Sequence, residues 1–332
     1  MKKALVLGAS GFLGQHMEYR LKQEGYYVVS VARHAAPYRK SVANENNILD
    51  LTNEAGFHHH FYRHHFDVVF QLAGNVGGLG HIAVGDNDAA ILTDSLKINL
   101  YTLEAIRKTQ AAEKILFASS QCVYPDTIEI DPFASERIPD HVTQPWREKD
   151  ASFDTFAFGQ EKLFAEKLYD AYARNYGINP RVARCGNTYG PFCTYDGDRA
   201  KSVAAICRKV ATAPYAGTVK LWGDGTARRS FTYVDDVIDG MLKLMESDYQ
   251  GPVNIAHGET VSIVELFEAV CRAANKVLAW ESEPGPVGVH SRGSDNTLAR
   301  KVLGWEPKTS LMMGLAVTYP WVRDQALTKA PA

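Results

Sequence analysis

The sequence predicts an α/β fold in which a doubly wound parallel sheet carries a smaller, discontinuous α/β lobe. Three observations point to it. Short β-rich runs alternate with amphipathic helical stretches through the first half of the chain, the pattern of a parallel sheet wound by right-handed crossovers. A glycine-rich turn directly follows the first of those runs. The 332 residues exceed a single domain of about 150, which leaves room for two lobes.

Taken in order, residues 4–7, 27–31, 67–72 and 114–118 read as strands from their Val, Leu, Ile and Phe content. Runs at 180–184 and 253–256 extend the same sheet. The expected division is a dinucleotide-binding domain over 1–180 with about 228–257, and a substrate-binding lobe over 181–227 and 258–332. A helix over 261–274, the stretch after Pro191 and the chain from Leu298 onward supply that lobe.

Composition narrows the function. Hydrophobic residues at 45% and charged residues at 22% exclude disorder, collagen and coiled coil. Lys+Arg 36 against Asp+Glu 38 gives a net charge of -2 without a long basic run, so nucleic acid is not the expected partner; a small molecule is. Five cysteines without a CxxC pair fit the reduced thiols of the cytoplasm. The apolar run after Met1-Lys2-Lys3 is too short for a signal peptide, and no stretch reaches the roughly 18 apolar residues of a membrane span. A cytoplasmic protein is expected. His58-His59-His60 with His64 and His65 imitates a metal site, but it lacks Cys or carboxylate at ligand spacing and reads as a solvated helix face with no metal.

The strongest local signal is Gly8-Ala9-Ser10-Gly11-Phe12-Leu13-Gly14, placed between a strand and a helix. Its glycines let backbone approach a pyrophosphate, and the N–H groups and dipole of the helix N-terminus favour the anion. This marks the sheet as Rossmann-type. The second strand ends Val31-Ala32-Arg33-His34, where an acidic residue would bind the ribose 2′-hydroxyl of NAD. A small residue followed by Arg33 favours a 2′-phosphate, hence NADP, with NAD possible. Arg33 pointing into solvent is the alternative. Asp50, followed by Leu51, is placed to meet the adenine edge, although an ordinary loop carboxylate would look the same.

Further motifs carry a resemblance over nearly the whole chain. They are Leu72-Ala73-Gly74, Asn99, Ser119-Ser120-Gln121-Cys122-Val123-Tyr124, Arg184-Cys185-Gly186-Asn187-Thr188-Tyr189-Gly190-Pro191, Gly223-Asp224-Gly225 with Arg229, Tyr233-Val234-Asp235-Asp236-Val237 and Leu303-Gly304-Trp305. With these the chain resembles the extended short-chain dehydrogenases that modify nucleotide sugars. Within that family the likeness is to the GDP-mannose 3,5-epimerase branch. It rests on Val76-Gly77-Gly78-Leu79-Gly80, Cys122, Lys201 after Gly197-Asp198-Arg199, and Pro286-Val287-Gly288-Val289 leading to Arg292 and Ser294-Asp295-Asn296. The resemblance implies a homodimer that binds a GDP-sugar and transiently oxidises it at C4.

In such enzymes a Tyr and a Lys four residues apart share a helix face, and the ammonium lowers the phenol's pKa so that it can take the hydroxyl proton. Here Lys162 is present and Phe158 stands at the Tyr position. Phenylalanine keeps the ring and removes the acid, the replacement used to trap bound substrate, so the chain reads as an inactivated variant; natural loss is the alternative. The resemblance makes Ser120 the hydroxyl that steadies the reacting sugar oxygen. Oxidation at C4 acidifies C3–H and C5–H, and the implied acid and base for inversion are Cys122 and Lys201. Without the resemblance, Cys122 reads as a small buried residue and Lys201 as a surface cation.

Arg229, Lys209 and Arg292 are the expected diphosphate ligands, with Asn187, Gly78 and Gly80 beside the substrate and Leu72, Ala73, Gly74 and Lys162 beside the cofactor. Three rivals remain: a 4,6-dehydratase, which would want an acidic pair where Gln121-Cys122 stand; a 4-epimerase, which needs neither Cys122 nor Lys201; and a non-catalytic dinucleotide sensor, which Phe158 would suit.

Overall fold

The computed structural model describes residues 1–54, 64–124, 137–138, 156–288 and 291–328. Seven strands form one sheet: β1 (Lys3–Leu7), β2 (Tyr27–Ala32), β3 (Glu45–Ile48), β4 (Phe66–Gln71), β5 (Ala112–Ser120), β6 (Pro180–Cys185) and β7 (Pro252–Ile255). Their spatial order is β7-β6-β5-β4-β1-β2-β3, and every neighbouring pair is parallel. The order reverses between β1 and β4, which opens a crevice at their carboxyl ends. All six strands expected from sequence lie in this sheet. β6 lies wholly within it, past the expected boundary at 180. β3 was not expected, because Glu45-Asn46-Asn47-Ile48 has no apolar alternation and alternates only between half-buried and exposed at the sheet edge.

Helices cover both faces because strands buried on two sides need apolar partners on each. On one face α2 (Asp88–Thr109) and α3 (Ala157–Tyr176) meet Leu5, Leu7, Val29, Phe66, Val69 and Phe117. Burying each of these stabilises by roughly 1.5–3 kcal/mol. On the other face lie α1 (Phe12–Gln23) and α5 (Val234–Glu246). Their apolar cluster runs on without a break into α4 (Ser202–Thr212), α6 (Ile263–Ala274) and α7 (Leu311–Thr328) through Cys207, Val210, Leu266, Phe267, Leu315 and Tyr319. The helix expected over 261–274 begins two residues later, since Val261–Ser262 pairs as a strand. Ser262 then caps α6, accepting from the Glu265 N–H while the Glu265 carboxylate accepts from the Ser262 N–H.

Short strands complete the second lobe, with Arg228–Arg229 between Val261–Ser262 and Ser291–Ser294. Of the histidine patch, His58, His59 and His60 lie outside the described residues. His64 corrects the expected solvated helix: it is outside any helix, half-buried, and 3.4 Å from the Glu45 carboxylate. Among the described residues no helix is long and apolar enough to cross a membrane. None of the five cysteines is in a disulfide.

Candidate active site

The glycine-rich turn connects β1 to α1 at the crevice. Gly8 has φ +81° and its backbone passes so close to Ala73 that a Cβ would sit 2.7 Å from the Ala73 N and Cα. A Cβ on Gly14 would lie 2.2 Å from the Gly8 carbonyl oxygen, so α1 packs directly on the turn. Gly11 stands at the N-cap with no side chain capping the helix, and the first turn of α1 contains no acid. The N–H groups and positive dipole end beyond Gly11, at Phe12, Leu13 and Gly14, are therefore turned to an anion with no carboxylate of their own to compete. This cradle fits a dinucleotide pyrophosphate.

At the end of β2 Arg33 is exposed and lies beside Asp50, which is exposed as well. The Thr52 N–H holds the Asp50 carboxyl below the usual range, with Arg33 and His34 adding to it. Leu51 is buried in the core. Next to Ser10 a pocket is lined by Gln15, His34, Arg39, Lys40 and Asn46, and Arg33 is not in its wall. Arg39 and Lys40 were missed in the sequence; the run Tyr38-Arg39-Lys40 was the signal for them.

Leu72, Ala73 and Gly74 follow β4. Gln71 fixes Ala73 by accepting from its N–H at 2.9 Å and donating to its carbonyl, and also donates to Asn99 at 2.9 Å. Gly74 lies beside the Lys162 ammonium, whose Nζ is 3.6 Å from where a Cβ would stand. One turn apart on α3, Phe158 and Lys162 are both buried, at 5% and 4% exposure, with Nζ 5.5 Å from the Phe158 ring centre. The i, i+4 geometry read from sequence is thus present. Glu161, missed in the sequence, is buried 3.5 Å from Lys162 and accepts from Asn99; burial pushes its carboxyl pKa up, opposed by Lys162. Ser120 accepts from the Cys122 N–H at 3.1 Å, which leaves its own O–H free to donate outward.

Cys122 is half-buried against Phe158, Ile82, Ile91, Val76 and Leu79. Burial lowers the pKa of Lys201, opposed by its neighbours Cys122, Cys185 and Cys193. Burial also pushes the Cys185 and Cys193 thiols up to about 12. Cys122 is the most open of the three thiols near Lys201. Gly78 and Gly80 make close backbone contacts within the protein. The Gly78 N–H donates to the Arg199 carbonyl at 3.1 Å, and its Cα approaches the Ala200 carbonyl so closely that a Cβ would be 2.1 Å away. A Cβ on Gly80 would meet the Asp198 carbonyl at 3.3 Å. The loop 76–80 is docked on the segment that ends in Lys201.

Arg229 and Arg292 face each other in register on adjacent parallel strands. Arg229 is half-buried and donates to the Arg228 and Val287 carbonyls; Arg292 is 9% exposed and donates to the Tyr124 carbonyl. Asn187, half-buried, donates to the Ser230 carbonyl at 3.2 Å beside them. Lys209 has protein partners of its own. It is tied to Glu283 at 2.9 Å and the Lys220 carbonyl at 2.6 Å, a role that joins α4 to the strands Thr218–Trp222 and Ala279–Glu283.

Beneath these groups runs a fully buried polar chain. Arg184 donates two bonds to Glu166, at 3.0 and 2.6 Å, and a third to the Tyr124 hydroxyl at 3.2 Å. Ser119 donates to Glu166, and Tyr124 donates to Asn254 at 2.7 Å.

Comparison with known proteins bears directly on this arrangement. The model of the NAD dependent epimerase/dehydratase family matches residues 4–256, and the chain belongs to that family. It is 36% identical to GDP-mannose 3,5-epimerase 1 of Oryza sativa subsp. indica over 333 residues, covering 96% of this chain and 81% of that protein. It is also 36% identical to the GDP-mannose 3,5-epimerase of Arabidopsis thaliana, covering 97% and 82%. Its structure is similar to that of the Thermotoga maritima UDP-glucose 4-epimerase solved with UDP-glucose, with TM-score 0.82, 25% identity, and coverage of 97% of this chain and 99% of that one.

Proposed function

We propose that this member of the NAD dependent epimerase/dehydratase family is a nucleotide-diphospho-sugar epimerase that oxidises its substrate transiently at C4, inverts C5, C3 or both, and reduces it again. A GDP-sugar is the favoured substrate, because the relatives at 36% identity are GDP-mannose 3,5-epimerases. The observation that carries the reading is the pairing of Lys201 with the half-buried Cys122 beside Phe158 and Lys162. A 4-epimerase has no use for the first two.

A nicotinamide dinucleotide held in the turn 8–14 would supply the acceptor and donor of the C4 hydride. NADP is favoured, on Arg33. The residues do the rest. Ser120, with its oxygen already accepting from Cys122 N–H, donates to the C4 oxygen. Lys162 holds positive charge next to position 158, where a phenol would take the C4 hydroxyl proton; Phe158 cannot, so the chain in this form turns over slowly. Once C4 is a ketone, Cys122 removes the proton from the adjacent carbon and Lys201 returns one to the other face. Arg229 and Arg292 hold the diphosphate. The same reading carries the two-lobe division, with 1–180, extended through β6 to Cys185, and about 228–257 binding the dinucleotide, and a cytoplasmic homodimer.

The test is to make Phe158→Tyr and screen nucleotide sugars for binding and turnover. The reading expects a GDP-sugar to bind both forms and to be epimerised by the tyrosine form. Binding of dinucleotide alone, with no nucleotide sugar retained by either form, would favour the sensor instead.

A further inference from the structure

The motif Val76-Gly77-Gly78-Leu79-Gly80 and the run Gly197-Asp198-Arg199 are more than 100 residues apart and meet at one place in the fold. Arg199 donates from Nη1 to the Val76 carbonyl at 2.9 Å and from Nη2 to the Asn75 side-chain oxygen at 3.0 Å. In return the Gly78 N–H donates to the Arg199 carbonyl at 3.1 Å. These contacts are reciprocal: a guanidinium grips the loop, and the loop grips the guanidinium's own backbone.

Asn75 is itself anchored. It is 7% exposed, its N–H donates to Ser95 Oγ at 3.2 Å and its amide donates to Asp94 at 3.2 Å. Its side-chain oxygen receives a second donor, His81 Nε2 at 2.9 Å. With Arg199 already donating to that oxygen, His81 carries its proton on Nε2. Burial, with Arg199 adding to it and Asp198 opposing it, lowers the pKa of this imidazole.

The place of this clamp gives it its meaning. Lys201 is two residues beyond Arg199, at the N-cap of α4, with no side-chain cap bond of its own. On its other side the same loop packs through Val76 and Leu79 against the cluster of Ile82, Ile91 and Phe158, on which Cys122 packs as well. The loop therefore spans the gap between the two groups that the proposed reaction sets on opposite faces of a sugar ring. A shift of about 1 Å in such a pair can cost roughly a hundredfold in rate.

We propose that Arg199 is a positioning residue for Lys201: its planar fork, locked on Val76 and Asn75, fixes the distance and angle of the Lys201 ammonium relative to Cys122. The inference rests on the epimerase reading. It predicts a selective defect, in which inversion suffers while oxidation at C4, served by Ser120, Lys162 and position 158, does not.

The experiment uses the full chain with Phe158→Tyr as parent, and adds Arg199→Met, Arg199→Lys, Lys201→Ala and, as a control on the far end of α3, Arg174→Met. Wash-in, the solvent deuterium carried by the inverted C5 or C3 epimer of a bound GDP-sugar, reports inversion. Nicotinamide absorbance reports C4 oxidation, and hydrogen exchange at the Gly78 amide reports the clamp. Arg199→Met is expected to slow wash-in at least tenfold, to leave nicotinamide reduction and KM within threefold, and to speed Gly78 exchange at least tenfold. Arg199→Lys should be as poor, because a point charge cannot make two fixed bonds; Arg174→Met should match the parent. Unchanged Gly78 exchange in Arg199→Met, or wash-in equal to the parent's, overturns the proposal. So does a parallel fall of reduction and wash-in, which would mark Arg199 as merely structural. Failure of the underlying reading looks different: wash-in that survives Lys201→Ala, whatever Arg199 does.

Discussion

The two sides of the crevice are built by opposite means. The dinucleotide side is made of backbone: a turn of seven residues, one helix end and the close approach of Gly8 to Ala73. The proposed sugar side is made of side chains brought from six separate segments, at 75–80, 120–124, 158–162, 199–201, 228–229 and 291–292. A backbone cradle tolerates almost any side chain that leaves its glycines alone, whereas a side-chain site is lost or redirected one residue at a time. This is why a family can keep one cofactor and vary its chemistry.

The largest effect that this contrast predicts is on the side-chain side. Phe158→Tyr should raise turnover of a bound GDP-sugar by roughly two to four orders of magnitude without changing thermal stability or dinucleotide affinity. Single-turnover kinetics check it, and an unchanged rate would show that the missing phenol was never limiting.

On the backbone side Gly14→Val should be the most damaging change. A side chain there collides with the Gly8 carbonyl and Ala9, and overpacking of this kind costs about 1–3 kcal/mol or more. Calorimetry should show both a lower Tm and lost dinucleotide binding. Intact binding in that variant would break the contrast at its root.

Next comes pH. Burial lowers the Lys201 pKa, so an ammonium that delivers a proton is lost at a pH below the ordinary lysine value of about 10.4. In the Phe158→Tyr form wash-in should fall on an alkaline limb that lies below that value, and Lys201→Arg should remove the limb. For folding, a depressed lysine binds fewer protons in the native than in the unfolded state. Its burial therefore weighs against the fold below the native pKa, and the penalty is relieved as pH rises through the window up to the unfolded value. Nicotinamide reduction, dependent on the other groups, should not share the limb.

The smallest predicted effect concerns the cofactor. Arg33→Asp should weaken NADP by roughly 1.5–3 kcal/mol and spare NAD, measured by titration of both dinucleotides. An equal loss for both would move the discrimination from Arg33 to Arg39 and Lys40 in the pocket wall.

The same contrast governs what sequence alone could reveal. Strands and the glycine turn are local, and six of seven sheet strands were legible from runs such as Val68-Val69-Phe70. β3 was not, since its pairing with β2 rather than its own residues holds it at the edge. Residues of the candidate site stand out singly, where a motif surrounds them: Ser120, Lys162, Cys122, Arg229. Their mutual supports were not. Arg199 meets Asn75 across 124 positions, and no local pattern encodes that meeting. The tie of Lys209 to Glu283, 74 positions away, is equally absent from any local pattern.

The buried Glu166–Arg184 pair has a consequence for assembly rather than turnover. Both side chains are 1% exposed, and removing either partner of such a pair costs about 3–5 kcal/mol because a lone charge stays in the interior. Arg184 sits on β6, in register with Ser119 on β5, and the Ser119 hydroxyl donates to the same Glu166. A slip of β6 by one residue would turn the guanidinium to the other face of the sheet and strand the carboxylate. The ion pair thus works as a proofreader of strand alignment, rejecting near-native pairings in which β6 has slipped against β5.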